Sequence, residues 1–148
     1  MPKHSERRIL PHTADQMFDL VADIRRYPEF LPWCTGIRVK SDEERGDVRH
    51  IVADMVVAFK GLEQRFTSKI ELRPNERKII VDYVDGPFRY LHNTWEFEPL
   101  KEACRVHFDI DFEFRSRLLS ALVRSVFGRA VTRMTDAFES RARSLYGN

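Results

Sequence analysis

Few residues of this chain stand where acid–base or metal chemistry would need them. The five histidines, His4, His12, His50, His92 and His107, are scattered without an HExxH or similar pair, so each reads as a surface or structural residue and no metal is expected. Asp109 and Asp111 are close enough for a carboxylate pair, but they alternate with Phe108, Ile110 and Phe112 and therefore share the wet face of a strand. Asp54, in VADMVV, is ambiguous because either face of its strand is apolar enough to be inside. Buried, it would be an acid of raised pKa; the solvated reading is preferred. The glycines form neither GxGxxG nor a Walker A pattern, and GxSxG is missing, which removes nucleotide-binding loops and nucleophile-elbow hydrolases. Cys34 and Cys104 lie far apart, without CxxC spacing, and read as two reduced thiols. No catalytic residue is assigned.

What the chain offers instead is apolar binding surface. Residues 27–34, YPEFLPWC, set Tyr27, Phe30, Leu31 and Trp33 around Pro28 and Pro32. Prolines remove backbone donors and forbid long regular structure, so this is a great deal of apolar area for a turn. Such a segment either lines and gates an apolar cavity, its prolines lowering the entropy cost of holding the rim, or plugs the end of the core. Both readings stay open from sequence. Tyr27 and Trp33 each add a polar handle.

Charge narrows the partners. The formal charge is only +2, too small to indicate a nucleic-acid binder, and no specific DNA binding is expected. Its distribution is uneven. Between Arg115 and Arg143, seven arginines face two acids, Asp136 and Glu139, so this segment carries +5 and the remainder −3. Arg141 and Arg143 suit a helix C-terminus, where cations oppose the dipole.

The elements that must position these residues follow from periodicity. KHSERRIL is a short strand. Thr13 caps a helix with Gln16 at its third position and Met17, Leu20, Val21 and Ile24 on one face, running to about Arg25. From Gly36 the period becomes two. A hairpin turns at ERGD; then come LEQRFTSKIEL, KIIVDYV and FRYLHNTWEFEPL, and last CRVHFDIDFEF, which alternates most cleanly and argues an antiparallel sheet with one wet face. From Arg117 to Tyr146 the period returns to 3.6, with Leu119, Leu122, Val123, Val126, Phe127, Ala130, Met134 and Phe138 in the apolar stripe. One helix of roughly 45 Å is expected, with Gly128 marking a bend or a close approach.

With 148 residues, no repeat and no linker, the chain reads as a single domain, 1–148, of the α+β class: about seven antiparallel strands curled around a long C-terminal helix. A cavity remains wherever facing side chains fail to fill the space between sheet and helix. No segment approaches the ~20 apolar residues of a membrane span, and MPKHSERRIL lacks the apolar region of a secretory signal, so the expected location is cytoplasmic.

ADIRRYPEFLPWC, DGPFRYLHNTWEFEP and the terminal amphipathic helix, in this order, resemble the coenzyme Q-binding protein family, a START-like, helix-grip group that also holds the bacterial ribosome association toxins and is often labelled polyketide cyclase/dehydrase. The resemblance implies a sheet gripping the helix around an apolar tunnel for a lipid such as ubiquinone or its isoprenoid tail, with no required cofactor. Mitochondrial members carry a targeting extension; this chain starts almost at its first strand, which suggests a bacterial form, cytoplasmic or peripheral to the inner membrane.

Two functions from different classes are implied. One is a non-enzymatic quinone carrier supporting respiratory electron transport, in transient contact with a membrane. Its rim would be Tyr27, Pro28, Phe30, Leu31 and Trp33, and its walls Phe59, Phe66, Val81, Phe88, Trp95, Phe97, Phe108, Phe112, Val123, Phe127 and Met134. The other is a toxin that binds the large ribosomal subunit and blocks subunit joining, with Arg117, Arg124 and Arg133 on phosphates. A cyclase or aromatase, which shapes a chain with few catalytic groups, comes third.

Overall fold

The computed structural model describes residues 3–59, 61–124 and 127–147, with Phe59 and Leu62 described through their backbone alone. Strand β1 (Lys3–Leu10) leads into α1 (Ala14–Ala22), which begins as its sequence dictates: the Thr13 hydroxyl accepts from the Gln16 amide while the Gln16 side chain accepts from the Thr13 amide. The helix stops three residues short of the expected end. Asp23 leaves helical dihedrals, with φ −84° and ψ 69°, and a 3₁₀ segment (Ile24–Glu29) takes over with Pro28 inside it. Pro28 has no N–H to give to the Ile24 carbonyl, so an α-helix cannot run on through it.

Six long strands follow: β2 (Cys34–Arg45), β3 (Val48–Phe59), β4 (Leu62–Arg73), β5 (Lys78–Asp85), β6 (Phe88–Leu100) and β7 (Ala103–Phe114). They form one antiparallel sheet in the order β1-β7-β6-β5-β4-β3-β2, so the first strand closes against the last. Period-two alternation then decides what faces where. Phe66, Ser68, Ile70 and Leu72 of β4 are inward, and the register Ile79↔Trp95 and Trp95↔Phe108 continues that face across β5, β6 and β7. Arg105, His107, Asp109 and Asp111 take the opposite face, where Asp109 accepts from Ser5 and Arg7 and Asp111 from Tyr90. The two aspartates have separate structural partners, in keeping with the wet-face reading.

Two helices cover the concave face, α2 (Arg117–Arg124) and α3 (Phe127–Tyr146). The expected single helix is thus described as two stretches, with Val126 outside the described residues. The Gly128 expectation needs correction in one respect. Among the described residues a Cβ at that position would meet nothing within 4 Å, so no close approach to them requires a glycine there. Helix α3 buries Val131, Thr135, Phe138 and Ala142, and a polar clamp fixes its position. The Arg8 guanidinium, on the inner face of edge strand β1, donates to Asp136 (2.9 Å), Glu139 (2.9 Å), Thr135 (3.0 Å) and Glu6 (2.9 Å). Beside α3, Met17, Phe18 and Val21 of α1 pack against the sheet, with Phe18 edge-on to Phe97 at 6.1 Å.

Candidate functional site: an apolar tunnel under the C-terminal helix

The sheet and α3 do not fill the space between them. Three adjoining apolar chambers of about 180, 200 and 220 Å³, which share wall residues, lie beneath the helix. The inner chamber lies among Tyr27, Leu31, Val81, Trp95, Met134 and Phe138. It shares Leu91, Phe108, Ile110 and Met134 with a middle chamber, which adds Phe112, Phe127 and Val131. Trp33, Phe88, Phe114, Val123 and Ala130 are common to the middle chamber and the mouth, where Leu119 and Leu122 of α2 face Val57 and Phe66. A larger depression of about 530 Å³ lies between α1 and the hairpin turns, but Asp19, Asp23, Arg25, Glu44, Asp47 and Arg49 line it, and it opens to solvent as a polar groove.

The strands place these side chains through alternation and register alone. One turn needs a special residue. Gly86 has φ 142°, and a Cβ there would lie 2.7 Å from that of Phe66, so only glycine lets the β5–β6 turn settle on β4. This close approach holds Pro87 and Phe88 at the mouth. Phe88 then gathers Phe66, Tyr83, Phe112 and Phe114 around itself at centroid distances of 4.7 to 5.7 Å.

The proline-rich segment divides between both of its expected roles. Tyr27 and Phe30 form a plug with Phe138 of α3 at 5.5 and 5.3 Å, and the Tyr27 hydroxyl, donating to the Val21 carbonyl, fixes the plug to α1. Burial pushes the Tyr27 phenol well above its ordinary pKa, so it stays a neutral donor. Leu31 reaches the inner chamber and Trp33 the outer two. Trp33 has φ 68°, a left-handed conformation that is costly for a bulky residue, and its carbonyl accepts from the Ala58 amide at 2.8 Å. Arg133 stacks on its ring at 5.4 Å. The strained residue of the segment is therefore the one at the mouth.

Several expected wall and rim residues lie elsewhere. Phe97 is 1 % exposed and belongs to the core beside Phe18, outside the three chambers; alternation puts it on the inner face, but α1 covers that end of β6. Pro28 is exposed, and Phe30 packs between Phe138 and Arg141 rather than along the tunnel. The side chain of Phe59 lies outside the described residues. Phe66, Val81, Phe88, Trp95, Phe108, Phe112, Val123, Phe127 and Met134 do line the space. Asp54 is buried at 7 % exposure, against the solvated expectation, yet it is no raised-pKa acid. The Thr67 hydroxyl donates to it and Lys40 lies 3.5 Å away, and these outweigh desolvation to hold its carboxyl below the usual range. It sits on the outer face, across from the chamber-lining Ala53 and Met55.

Sequence reasoning missed two polar residues of the inner chamber, Ser68 and Asn93. The Asn93 amide donates to the Asp109 carbonyl (2.8 Å) and accepts from the Trp95 indole (3.1 Å). Their presence on inward strand positions was legible, since each is a polar residue interrupting an apolar alternation. Both cysteines are free thiols and buried, and burial lifts the Cys104 pKa to about 11. Among the described residues no cluster of His, Cys, Asp or Glu suits a metal ion.

Of the helix arginines, Arg141 pairs with Glu29 and Arg143 with Glu139, while Arg117, Arg124 and Arg129 are exposed and form no ion pair among the described residues. Leu118, between the first two, is 75 % exposed beside the mouth.

Comparison with known proteins matches this architecture. Residues 10–139 fit the family described as polyketide cyclase/dehydrase and lipid transport. Ribosome association toxin RatA of Pseudomonas aeruginosa is 40 % identical over 149 residues, covering 99 % of this chain and 100 % of that protein. The mitochondrial coenzyme Q-binding protein COQ10 homolog B of Xenopus laevis is 33 % identical, covering 98 % of this chain and 59 % of that protein. The solution structure of an 18 kDa protein from Caulobacter crescentus superposes with a TM-score of 0.84 at 38 % identity, with both chains covered completely. The chain therefore belongs to the polyketide cyclase/dehydrase and lipid transport family and has its START-like fold, an antiparallel sheet gripping a C-terminal helix.

Proposed function

We propose that this protein is a non-enzymatic carrier or chaperone that holds ubiquinone or a similar isoprenoid lipid in the tunnel, in support of respiratory electron transport. The observation that carries this reading is the row of three adjoining apolar chambers, sharing walls, from beneath Phe138 to the mouth at Leu119. A relative that bears the name coenzyme Q-binding protein supports the choice of ligand. Binding rather than catalysis is favoured because the described walls present no histidine, cysteine, aspartate or glutamate to form an acid–base pair. No described helix is long and apolar enough to cross a membrane. The proposed carrier meets the membrane transiently, with exposed Leu118 among Arg117 and Arg124 offering an apolar residue and cations beside the mouth.

Both tryptophans of the chain, Trp33 and Trp95, line the tunnel, so a quinone inside should quench their fluorescence. Titration with a short-tailed ubiquinone should give saturable, one-to-one quenching, and Phe112→Asp, which puts a carboxylate in the middle chamber, should abolish it while the far-ultraviolet circular dichroism is retained. Unchanged quenching in the folded variant would remove the tunnel from the account.

A second reading rests on the ribosome association toxins among the relatives and on the exposed arginines of α2. In that reading Arg117, Arg124 and Arg133 contact phosphates of the large ribosomal subunit. Replacing all three with Ala should then weaken co-sedimentation with that subunit at low salt, whereas unchanged co-sedimentation would exclude the helix.

A further inference from the structure

We infer that the inner chamber recognises the neutral, carbonyl-bearing head of the ligand, with Ser68 as the donor that selects it, so that the lipid enters head first and its tail trails to the mouth. This deepens the carrier reading and rests on it. Ser68 is 5 % exposed and lines the inner chamber, and its hydroxyl has no hydrogen-bond partner among the described residues. An unmade buried hydrogen bond is destabilising, and alanine would fill the same strand position without that cost, so the hydroxyl calls for a partner from outside the chain.

Its setting points to a ligand. Opposite Ser68 the β4–β5 ladder shifts register, with Thr67 paired to Asp85 and Ser68 to Tyr83, the kind of irregularity that re-aims side chains next to binding sites. Asn93 lines the same chamber, and with one amide hydrogen given to the Asp109 carbonyl it retains a second. Two donors in an otherwise apolar chamber suit an acceptor. Tyr27, Trp95, Phe108 and Phe138 supply flat faces around it, which fits a ring bearing carbonyl oxygens.

Charge excludes the other common lipid heads. Among the described residues, no lysine, arginine, aspartate or glutamate lines any of the three chambers. A carboxylate or phosphate brought to the inner end would lie buried with no cation in the chamber wall to oppose it. Fatty acids and phospholipids are therefore poor candidates, and a neutral quinone-type lipid is a good one.

The test compares three ligands for displacement of N-phenyl-1-naphthylamine from the full chain: a short-tailed ubiquinone, squalene as a tail without a head, and palmitate as a tail with a charged head. Wild-type protein should bind the ubiquinone tightest and palmitate weakest. Ser68→Ala should weaken the ubiquinone about 5- to 10-fold and leave squalene unchanged. The same variant, without ligand, should be at least as resistant to urea as wild type, an outcome that a purely structural serine would reverse. Equal loss for ubiquinone and squalene, no loss for either, or palmitate bound as tightly as ubiquinone would each overturn the inference while leaving the tunnel as a carrier site. Wild-type protein that displaces the probe with none of the three would overturn the carrier reading and this inference together.

Discussion

The two ends of the tunnel share strands and helix but are closed in different ways. At the inner end, Phe138 meets Trp95, Phe30 and Tyr27 at centroid distances of 5.1, 5.3 and 5.5 Å, and Arg141 covers Phe30 while pairing with Glu29. At the mouth, α2 buries none of its residues, Leu118 is 75 % exposed, and Trp33 is held at φ 68° under Arg133. The inner end is packed as a core, whereas the helix over the mouth has no fully buried residue.

The sharpest way to break this comparison is to empty the inner end. Phe138→Ala removes the ring around which the plug is built and should cost about 3–5 kcal/mol in urea unfolding, since truncation of a buried aromatic leaves a cavity. A loss below about 1 kcal/mol would show that the plug is not where stability lies.

The wall between the two ends gives a smaller, pH-dependent effect. Asp54 stands on its outer face, with its carboxyl held below the usual range by Thr67 and then Lys40. Its folded pKa is lower than its unfolded one, so the stability it contributes is complete above about pH 4 and is lost as pH falls through the folded value. Wild type should lose stability over that acid range more steeply than Asp54→Asn, measured as the urea midpoint at a series of pH values. Parallel curves would mean that Asp54 does not brace the wall.

At the mouth, the smallest effect on folding is expected. Leu118→Ser should change stability by no more than about 0.5 kcal/mol. It should nonetheless reduce co-flotation with vesicles that contain anionic phospholipid, and a variant that floats as well as wild type would remove Leu118 from the membrane contact.

Much of this layout was legible in sequence wherever the determinant is local. The Thr13–Gln16 capping box needs only four residues, and the alternation of Cys104, Val106, Phe108, Ile110 and Phe112 fixes the inner face of β7 without reference to any other strand. What was not legible depends on distant partners. Arg8 meets Asp136 across 128 residues, and no local pattern reveals that clamp. Phe97 and Phe108 are both inward, yet one is sealed by Phe18 of α1 while the other lines the tunnel, a distinction made by where α1 packs. Ser68 and Asn93 become neighbours of one chamber only through the register of β4, β5 and β6.

The central claim is that the tunnel holds a lipid, and the most direct measurement is to purify the untagged protein from a quinone-producing bacterium, extract it with organic solvent, and analyse the extract by mass spectrometry beside an unrelated soluble control. The account predicts near-stoichiometric ubiquinone or a related quinone in wild type and none in folded Phe112→Asp. An extract from folded wild type that holds no more quinone than the control would contradict it.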